Sequence, residues 1–328
     1  MNNKTHIFKV EEEYFLNPSG IINQDSTLDI SDETLLSIYK NILLTRAFDK
    51  KAVALQRTGK LGTFPECYGQ EAIYSAIATA AHKDDVLCPY YRDHGALLYR
   101  GVSICSILKY WGGYGYDAAS PENMPICVPI ASQCLHAAGI AYSLKYKNLQ
   151  RATLVTLGDG ATSKGDFYEA MNFAGVHNLP VVFVINNNSW AISTPIEHQT
   201  KCTTLAQKAI AAEIEGITVD GNDALVLYTK LKYALAKAYE GGGPTVIEAK
   251  TYRLCDHTTS DNKIRYCPEE QIAKASQHEP LLRLELYLRN EKILTDDMAR
   301  DFNDKITAQI AAGAAEYLEY VNNLSEQQ

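Results

Sequence analysis

The chain has 328 residues, 46% of them hydrophobic, and a formal net charge of −8. Such a length suits one large α/β unit or two modest ones with a full core. The acidic balance excludes nonspecific nucleic-acid binding, which needs a basic surface, and no apolar run approaches the roughly 20 residues of a membrane span.

The N-terminus, Met1-Asn2-Asn3-Lys4-Thr5-His6, lacks the apolar core of a signal peptide. The eight cysteines form no CxxC pair, and Cys88, Cys127 and Cys134 sit in or beside apolar runs. Buried reduced thiols are expected here, in place of a disulfide framework or a zinc site. A soluble cytoplasmic protein follows, without nucleic-acid or membrane partners.

Residues 1–30 read as a mostly irregular arm with turn signals at Asn17-Pro18-Ser19-Gly20. Residues 31–328 read as one domain, with no repeats and no clear linker. Ser31 is a good N-cap, with Asp32 and Glu33 in the first turn of a helix reaching about Thr58. A second helix is expected from near Gln70 through Ala80. Asp85–Pro89 reads as a short strand or loop leading into Tyr90-Tyr91-Arg92-Asp93-His94-Gly95. Residues 110–128 show no periodicity and read as a long loop, a feature often functional in compact domains.

A helix over 133–146 follows. A βαβ unit comes next: strand 153–157, helix 166–178, strand 181–185. The strand runs are continuously apolar, as in a parallel sheet covered on both faces. A helix near 204–212, a strand near 217–219, a helix over 223–240 and a strand over 245–249 repeat the theme. Residues 252–268 read as irregular and polar. Two helices are expected to close the chain, the last capped by Thr295. The fold class is therefore α/β, a doubly wound and mainly parallel sheet with helices on both faces and helical additions at both ends.

The most informative segment is Gly158-Asp159-Gly160, then a helix, then a strand ending in Asn186-Asn187-Asn188. In open parallel sheets, ligands bind beyond the carboxyl ends of the strands. Neighbouring strands lie about 4.8 Å apart, so Asp159 and Asn188 can reach one ion. A carboxylate, an amide oxygen and the Trp190 carbonyl suit magnesium, which keeps substrate phosphates among its ligands. Glycines let backbone approach phosphates, and a helix N-terminus adds free N–H groups. The same residues also fit turn chemistry in a generic βαβ unit. Two other phosphate motifs fail. A Walker loop needs lysine where Asp166 stands, and a dinucleotide fingerprint needs glycine at Ser163.

Further motifs appear in order: Leu61-Gly62-Thr63, Gly69-Gln70-Glu71-Ala72, Tyr91-Arg92-Asp93-His94-Gly95, Asn187 through Pro195, and His257-Thr258-Thr259-Ser260-Asp261. With Gly-Asp-Gly and Asn-Asn, they make the chain resemble the α subunit of the E1 component of 2-oxo acid dehydrogenase complexes. The likeness is strongest to bacterial pyruvate dehydrogenase E1 α and covers nearly the whole chain.

That resemblance implies thiamine diphosphate and Mg2+, with Asp159, Asn188 and the Trp190 carbonyl on the metal. Family members carry tyrosine or phenylalanine at the Trp190 position; a backbone contact tolerates the change. Gly160, Ala161, Tyr91 and Arg92 match diphosphate and cofactor contacts, and Val128 and Ile130 match backbone contacts to the aminopyrimidine. Read alone, Val128 and Ile130 are core residues, Arg92 is half of a surface ion pair, and His257 is a solvated loop residue. Ser132 and Gln133 match a potassium site of some relatives. His257 matches a histidine that contacts the diphosphate and is implicated in handing the acyl group to lipoamide. Thr258 stands where mammalian relatives carry a regulatory phosphoserine, which puts such regulation in doubt.

The implied activity is oxidative decarboxylation of pyruvate with acetyl transfer to the lipoyl group of an E2 acyltransferase. Branched-chain 2-oxo acid or acetoin dehydrogenase E1 α, and a catalytically silent subunit, are the alternatives. No glutamate sits at the family's activating motif, because in the family that residue belongs to an E1 β subunit. The implied assembly is an α2β2 heterotetramer in which this chain alone is inactive.

Overall fold

The computed structural model describes residues 11–23 and 28–326. Parts of the expected N-terminal arm, residues 1–10 and 24–27, lie outside the described residues. The strands are β1 (Glu12–Glu13), β2 (Val86–Cys88), β3 (Thr153–Gly158), β4 (Val181–Asn187), β5 (Trp190–Ala191), β6 (Thr194–Pro195), β7 (Glu215–Asp220) and β8 (Thr245–Lys250). Among the described residues, six of them form one sheet in the order β1-β7-β8-β4-β3-β2. Every pairing in it is parallel. β5 and β6 make a small antiparallel pair beside it.

The continuous apolar runs resolve into two faces. Along β4, Val182 and Val184 join one core cluster, while Val181, Phe183 and Ile185 join the other. A strand's period of two makes this division inevitable once both faces are covered. The helices are α1 (Asp32–Arg57), α2 (Glu71–Ala80), α3 (His94–Tyr99), α4 (Ile104–Gly112), α5 (Ser132–Tyr146), α6 (Gly165–Val176), α7 (Ile196–Gln199), α8 (Ala224–Tyr239), α9 (Glu269–Ser276), α10 (Pro280–Asn290) and α11 (Asp296–Ser325). Residues of α1, α2 and α8 share the first cluster, and those of α5 and α6 the second. The chain is thus a doubly wound α/β fold.

Helix ends follow capping chemistry. Ser31 Oγ accepts from the Thr34 N–H, and Thr295 Oγ1 from the Met298 N–H. Asp223 does two jobs. One carboxylate oxygen caps α8 through Leu225 and Val226, and the other accepts from Phe15 and Leu16 at 2.6 Å each. Arg283 donates to the Leu16 carbonyl and pairs with Asp220 at 2.6 Å. The described part of the arm is therefore tied down: its two-residue β1 extends the sheet edge, and the rest is irregular apart from turns and one isolated bridge, as expected.

Departures from expectation have local causes. α3 and α4 form where no element was expected, and α4 intrudes on the expected loop at 110–128. Ser103 Oγ caps it, Ile104, Ile107 and Leu108 are buried, and Gly113 at φ 84° ends it. A run this short shows too little period to be read from sequence. Residues 205–212 are 3₁₀, with Gly216 so close that a Cβ would lie 2.4 Å from the Ala206 carbonyl oxygen. β4 continues through Asn186 and Asn187. Three helices, not two, close the chain, because α9 forms without burying any residue. All eight cysteines are free; Cys202 is exposed, against expectation.

Candidate active site

Gly158 of β3 is the register partner of Asn186 on β4. The two chains leave the sheet side by side, and the residues just beyond them line one cavity of about 470 Å³. Its walls include Tyr91, Arg92, Val128, Ile130, Gln133, Asp159, Gly160, Ala161, Asn188, Trp190 and His257. The residues expected on the cofactor and on magnesium therefore meet in one place. Of the potassium pair, Gln133 faces the cavity, while Ser132 bonds the Pro129 carbonyl at 3.0 Å.

After Gly158 the chain makes a 3₁₀ turn over Asp159–Ser163 and then enters α6 at Gly165, close to the start expected near 166. Asp159 is 2% exposed. Burial raises its carboxyl to about 6, against hydrogen bonds that favour the ionised form. One oxygen accepts from Gln199 Nε2 at 2.9 Å. Gly160 has no room for a side chain: a Cβ there would lie 2.7 Å from the Ala191 Cβ. Gly158 has open space around it, so packing does not explain that glycine.

Asn188 Oδ1 accepts from the Trp190 N–H at 3.2 Å. Ser189 and Ile192, on either side of Trp190, take positive φ of 70° and 58°. Left-handed backbone in non-glycine residues costs energy and occurs where surrounding structure imposes it. The Trp190 carbonyl accepts from Arg253 Nη1 at 3.3 Å. Asp159, Asn188 and this carbonyl form an all-oxygen donor set, the kind a hard divalent cation takes.

Arg92 is no surface residue; it is 1% exposed, and its Nε has no partner. It donates to the Glu66 carbonyl, to the His257 carbonyl at 3.1 Å and to His257 Nδ1 at 3.2 Å. Arg253, also fully buried, donates to the carbonyls of Trp190 and Ile192, to the Tyr266 hydroxyl and to His257 Nδ1 at 3.4 Å. These acceptors are neutral. Two buried cations facing neutral acceptors are an electrostatic invitation to an anion. Arg253 was missed in the sequence; its signal was an arginine opening the polar stretch before His257.

A guanidinium only donates, so His257 Nδ1 must accept, and the ring proton sits on Nε2. Burial, then Arg92 and Arg253, hold the imidazole down to about 3, so it is neutral. His257 is not the freely solvated loop residue of the isolated reading. Val128 and Ile130 are no core residues either: they are 48% and 46% exposed at the rim.

A second polar cluster lies nearby. Asp49, Cys67 and His94 bring their ligand atoms within 4.8 Å of one another. It is not a metal site. Trp111 Nε1 donates to His94 Nε2 at 2.9 Å, which puts the neutral ring's proton on Nδ1. That N–H faces Asp49 at 4.0 Å and has no lone pair for a metal. The arrangement instead holds Trp111, a wall of the cavity, in place.

The sequence profile of the dehydrogenase E1 component matches residues 39–321. The chain is 36% identical to a pyruvate dehydrogenase E1 component subunit alpha of Staphylococcus aureus over 313 residues, 94% of this chain and 85% of that protein. It is 39% identical to a 3-methyl-2-oxobutanoate dehydrogenase subunit alpha of Mycobacterium tuberculosis over 287 residues, 84% of this chain and 78% of that protein.

Proposed function

The chain belongs to the dehydrogenase E1 component family, and on that premise we propose that it is the α subunit of a pyruvate dehydrogenase E1. The observation that carries the reading is the single cavity lined by Asp159, Asn188, Trp190 and Arg92, with Arg253 packed behind it on the Trp190 carbonyl. That donor set fits Mg2+, and the buried guanidinium groups fit a diphosphate. Thiamine diphosphate, when bound, supplies the nucleophilic carbon and electron sink that decarboxylation of a 2-oxo acid requires.

In this reading Asp159 and Asn188 anchor and do not react. Arg92 and Arg253 neutralise the anchored phosphates and orient His257. His257 keeps its proton on Nε2, where it can donate to oxygen charge developing on the substrate. Val128 and Ile130, at the cavity rim, would meet the aminopyrimidine through their backbone. Gln133 Oε1, buried and unpartnered, supports a potassium ion near Ser132 and Gln133.

Residues 31–328 act as one unit in this reading, with an E1 β subunit completing the site in an α2β2 assembly. The exposed Val128, Ile130 and Ile192 at the rim, and Leu135, Tyr142 and Val176 on α5 and α6, support a partner surface. Among the described residues no helix is long and apolar enough to cross a membrane. The complex is read as cytoplasmic, delivering its acyl group to a lipoyl-bearing E2 acyltransferase.

The branched-chain alternative is kept because the 39% identical relative is named for 3-methyl-2-oxobutanoate. Steady-state kinetics of the assembled enzyme with pyruvate and with 2-oxoisovalerate test it. Higher kcat/KM for the branched substrate overturns the pyruvate assignment. Calorimetric titration of Asp159→Ala with thiamine diphosphate and Mg2+ tests the anchor, and retained metal-dependent binding overturns it. Full activity of the chain purified without a β subunit overturns the shared site.

A further inference from the structure

The orientation of one amide decides whether Asn188 can serve the cation at all. Only Oδ1 can ligate; the NH2 group would repel a metal. Amide orientation is settled by the partners around it, and here one partner is unambiguous. The Trp190 N–H is a backbone donor, and it meets Asn188 Oδ1 at 3.2 Å. Asn188 Nδ2 is therefore on the opposite side, where it donates to Gln70 Oε1 at 3.0 Å. Gln70 Oε1 also accepts from Asn186 Nδ2 at 3.0 Å. Asn186 Nδ2 in turn reaches the hydroxyls of Tyr74 and Tyr90, both at 2.7 Å.

Reversing Gln70 would present its NH2 to Asn188 Nδ2. Asn188 would then have to turn, setting its own NH2 against the Trp190 N–H and leaving no oxygen for the cavity. With the Trp190 N–H as the fixed donor, the sense of the Asn188–Gln70 pair is settled, while Gln70 Nε2 and Asn186 Oδ1 are left buried without a partner. All three are buried, with Gln70 0%, Asn186 1% and Asn188 5% exposed, so water cannot substitute. Gln70 sits at the start of α2, where its backbone is fixed by its N–H to the Cys67 carbonyl at 2.9 Å.

We propose that Gln70 is a positioning residue for the metal: its Oε1 holds Asn188 Nδ2 and so turns Asn188 Oδ1 toward the cation. This rests on the metal–diphosphate reading of the site and assigns Gln70 a role in it. An amide oxygen has two lone pairs, so Asn188 Oδ1 keeps one for the Trp190 N–H and one for the metal. Groups that orient a ligand tune metal affinity without touching the ion.

The test is titration of Mn2+ into the enzyme assembled with its β partner, with thiamine diphosphate present, read by the electron paramagnetic resonance of free Mn2+. Gln70→Met, which keeps length and removes the acceptor, weakens Mn2+ binding by about 10- to 100-fold. Its kcat at saturating metal stays at the wild-type value. Gln70→Glu keeps an acceptor and adds negative charge, so it binds Mn2+ at least as tightly as wild type. Adding Gln70→Met to Asn188→Ala causes no further loss, because the effect runs through Asn188. Wild-type affinity in Gln70→Met, with affinity lost in Asn188→Ala, overturns the positioning role and leaves the metal site standing. Wild-type affinity in Asn188→Ala overturns the metal reading and this inference with it. If Gln70→Met does not assemble, Gln70→Asn, one methylene too short to reach, is measured instead. Unchanged affinity there overturns the proposal.

Discussion

Arg92 Nη2 stands 3.2 Å from His257 Nδ1, so a group that can only donate dictates the tautomer of the histidine beside it. The contact joins residues 165 positions apart. It turns a loop histidine into a neutral Nε2–H donor held at the cavity.

His257 therefore stays uncharged through the physiological range. Burial is the larger cause and the two arginines add to it, bringing the imidazole to about 3. Nitrogen-15 NMR of the selectively labelled chain is expected to show an Nε2–H imidazole with no protonation between pH 8 and 5. A titration midpoint near the ordinary value of about 6.5 contradicts the assignment.

Arg253→Lys is expected to weaken thiamine diphosphate binding by about 10- to 100-fold in calorimetry, the scale of losing one charge-assisted hydrogen bond. Lysine keeps the charge but cannot reach Trp190, Ile192 and Tyr266 together as the planar fork does. Unchanged affinity would show that the charge alone matters.

Gly160→Ala is expected to cost about 1–3 kcal/mol by overpacking and to weaken cofactor binding. Its new Cβ would press on Ala191, 2.7 Å away, in the strand that carries Trp190. Adding Ala191→Gly removes that contact and should restore both melting temperature and binding. Failure of the double variant to recover places the need for glycine elsewhere.

Asp49 gives the pH dependence of stability a definite sign. Burial raises its carboxyl to about 8, against hydrogen bonds from Cys67 that favour the charge. A folded-state value above the unfolded one favours folding fully below about 3.9, and that contribution is lost as pH rises toward 8. Asp49→Asn does not ionise. Its melting temperature relative to wild type should therefore rise steadily from pH 4 to pH 8 and then level off. A difference independent of pH refutes the buried, protonated carboxyl.

The motifs carried most of the site because each is a local run with one backbone shape. Gly158-Asp159-Gly160 and Asn186-Asn187-Asn188 end adjacent strands, and adjacency followed from the βαβ pattern. The elements that escaped, α3, α4 and α9, are short or bury little, so periodicity had nothing to report. Val128 and Ile130 were legible as apolar but not as exposed. Their loop runs beside β2, with the Cys127 N–H on the Pro89 carbonyl at 3.1 Å, and stops at the rim.

The sequence by itself determined the doubly wound layering, through apolar runs that must be covered on both faces, and the identity of the residues at the strand ends. Period and spacing are properties of neighbours in the chain, and they survive without coordinates. Only the tertiary structure decided the atoms: the proton on His257 Nε2, the second buried guanidinium at Arg253, and the amide of Gln70 against Asn188. Each depends on which donor meets which acceptor across long separations, and a hydrogen bond's sense is settled by that meeting alone.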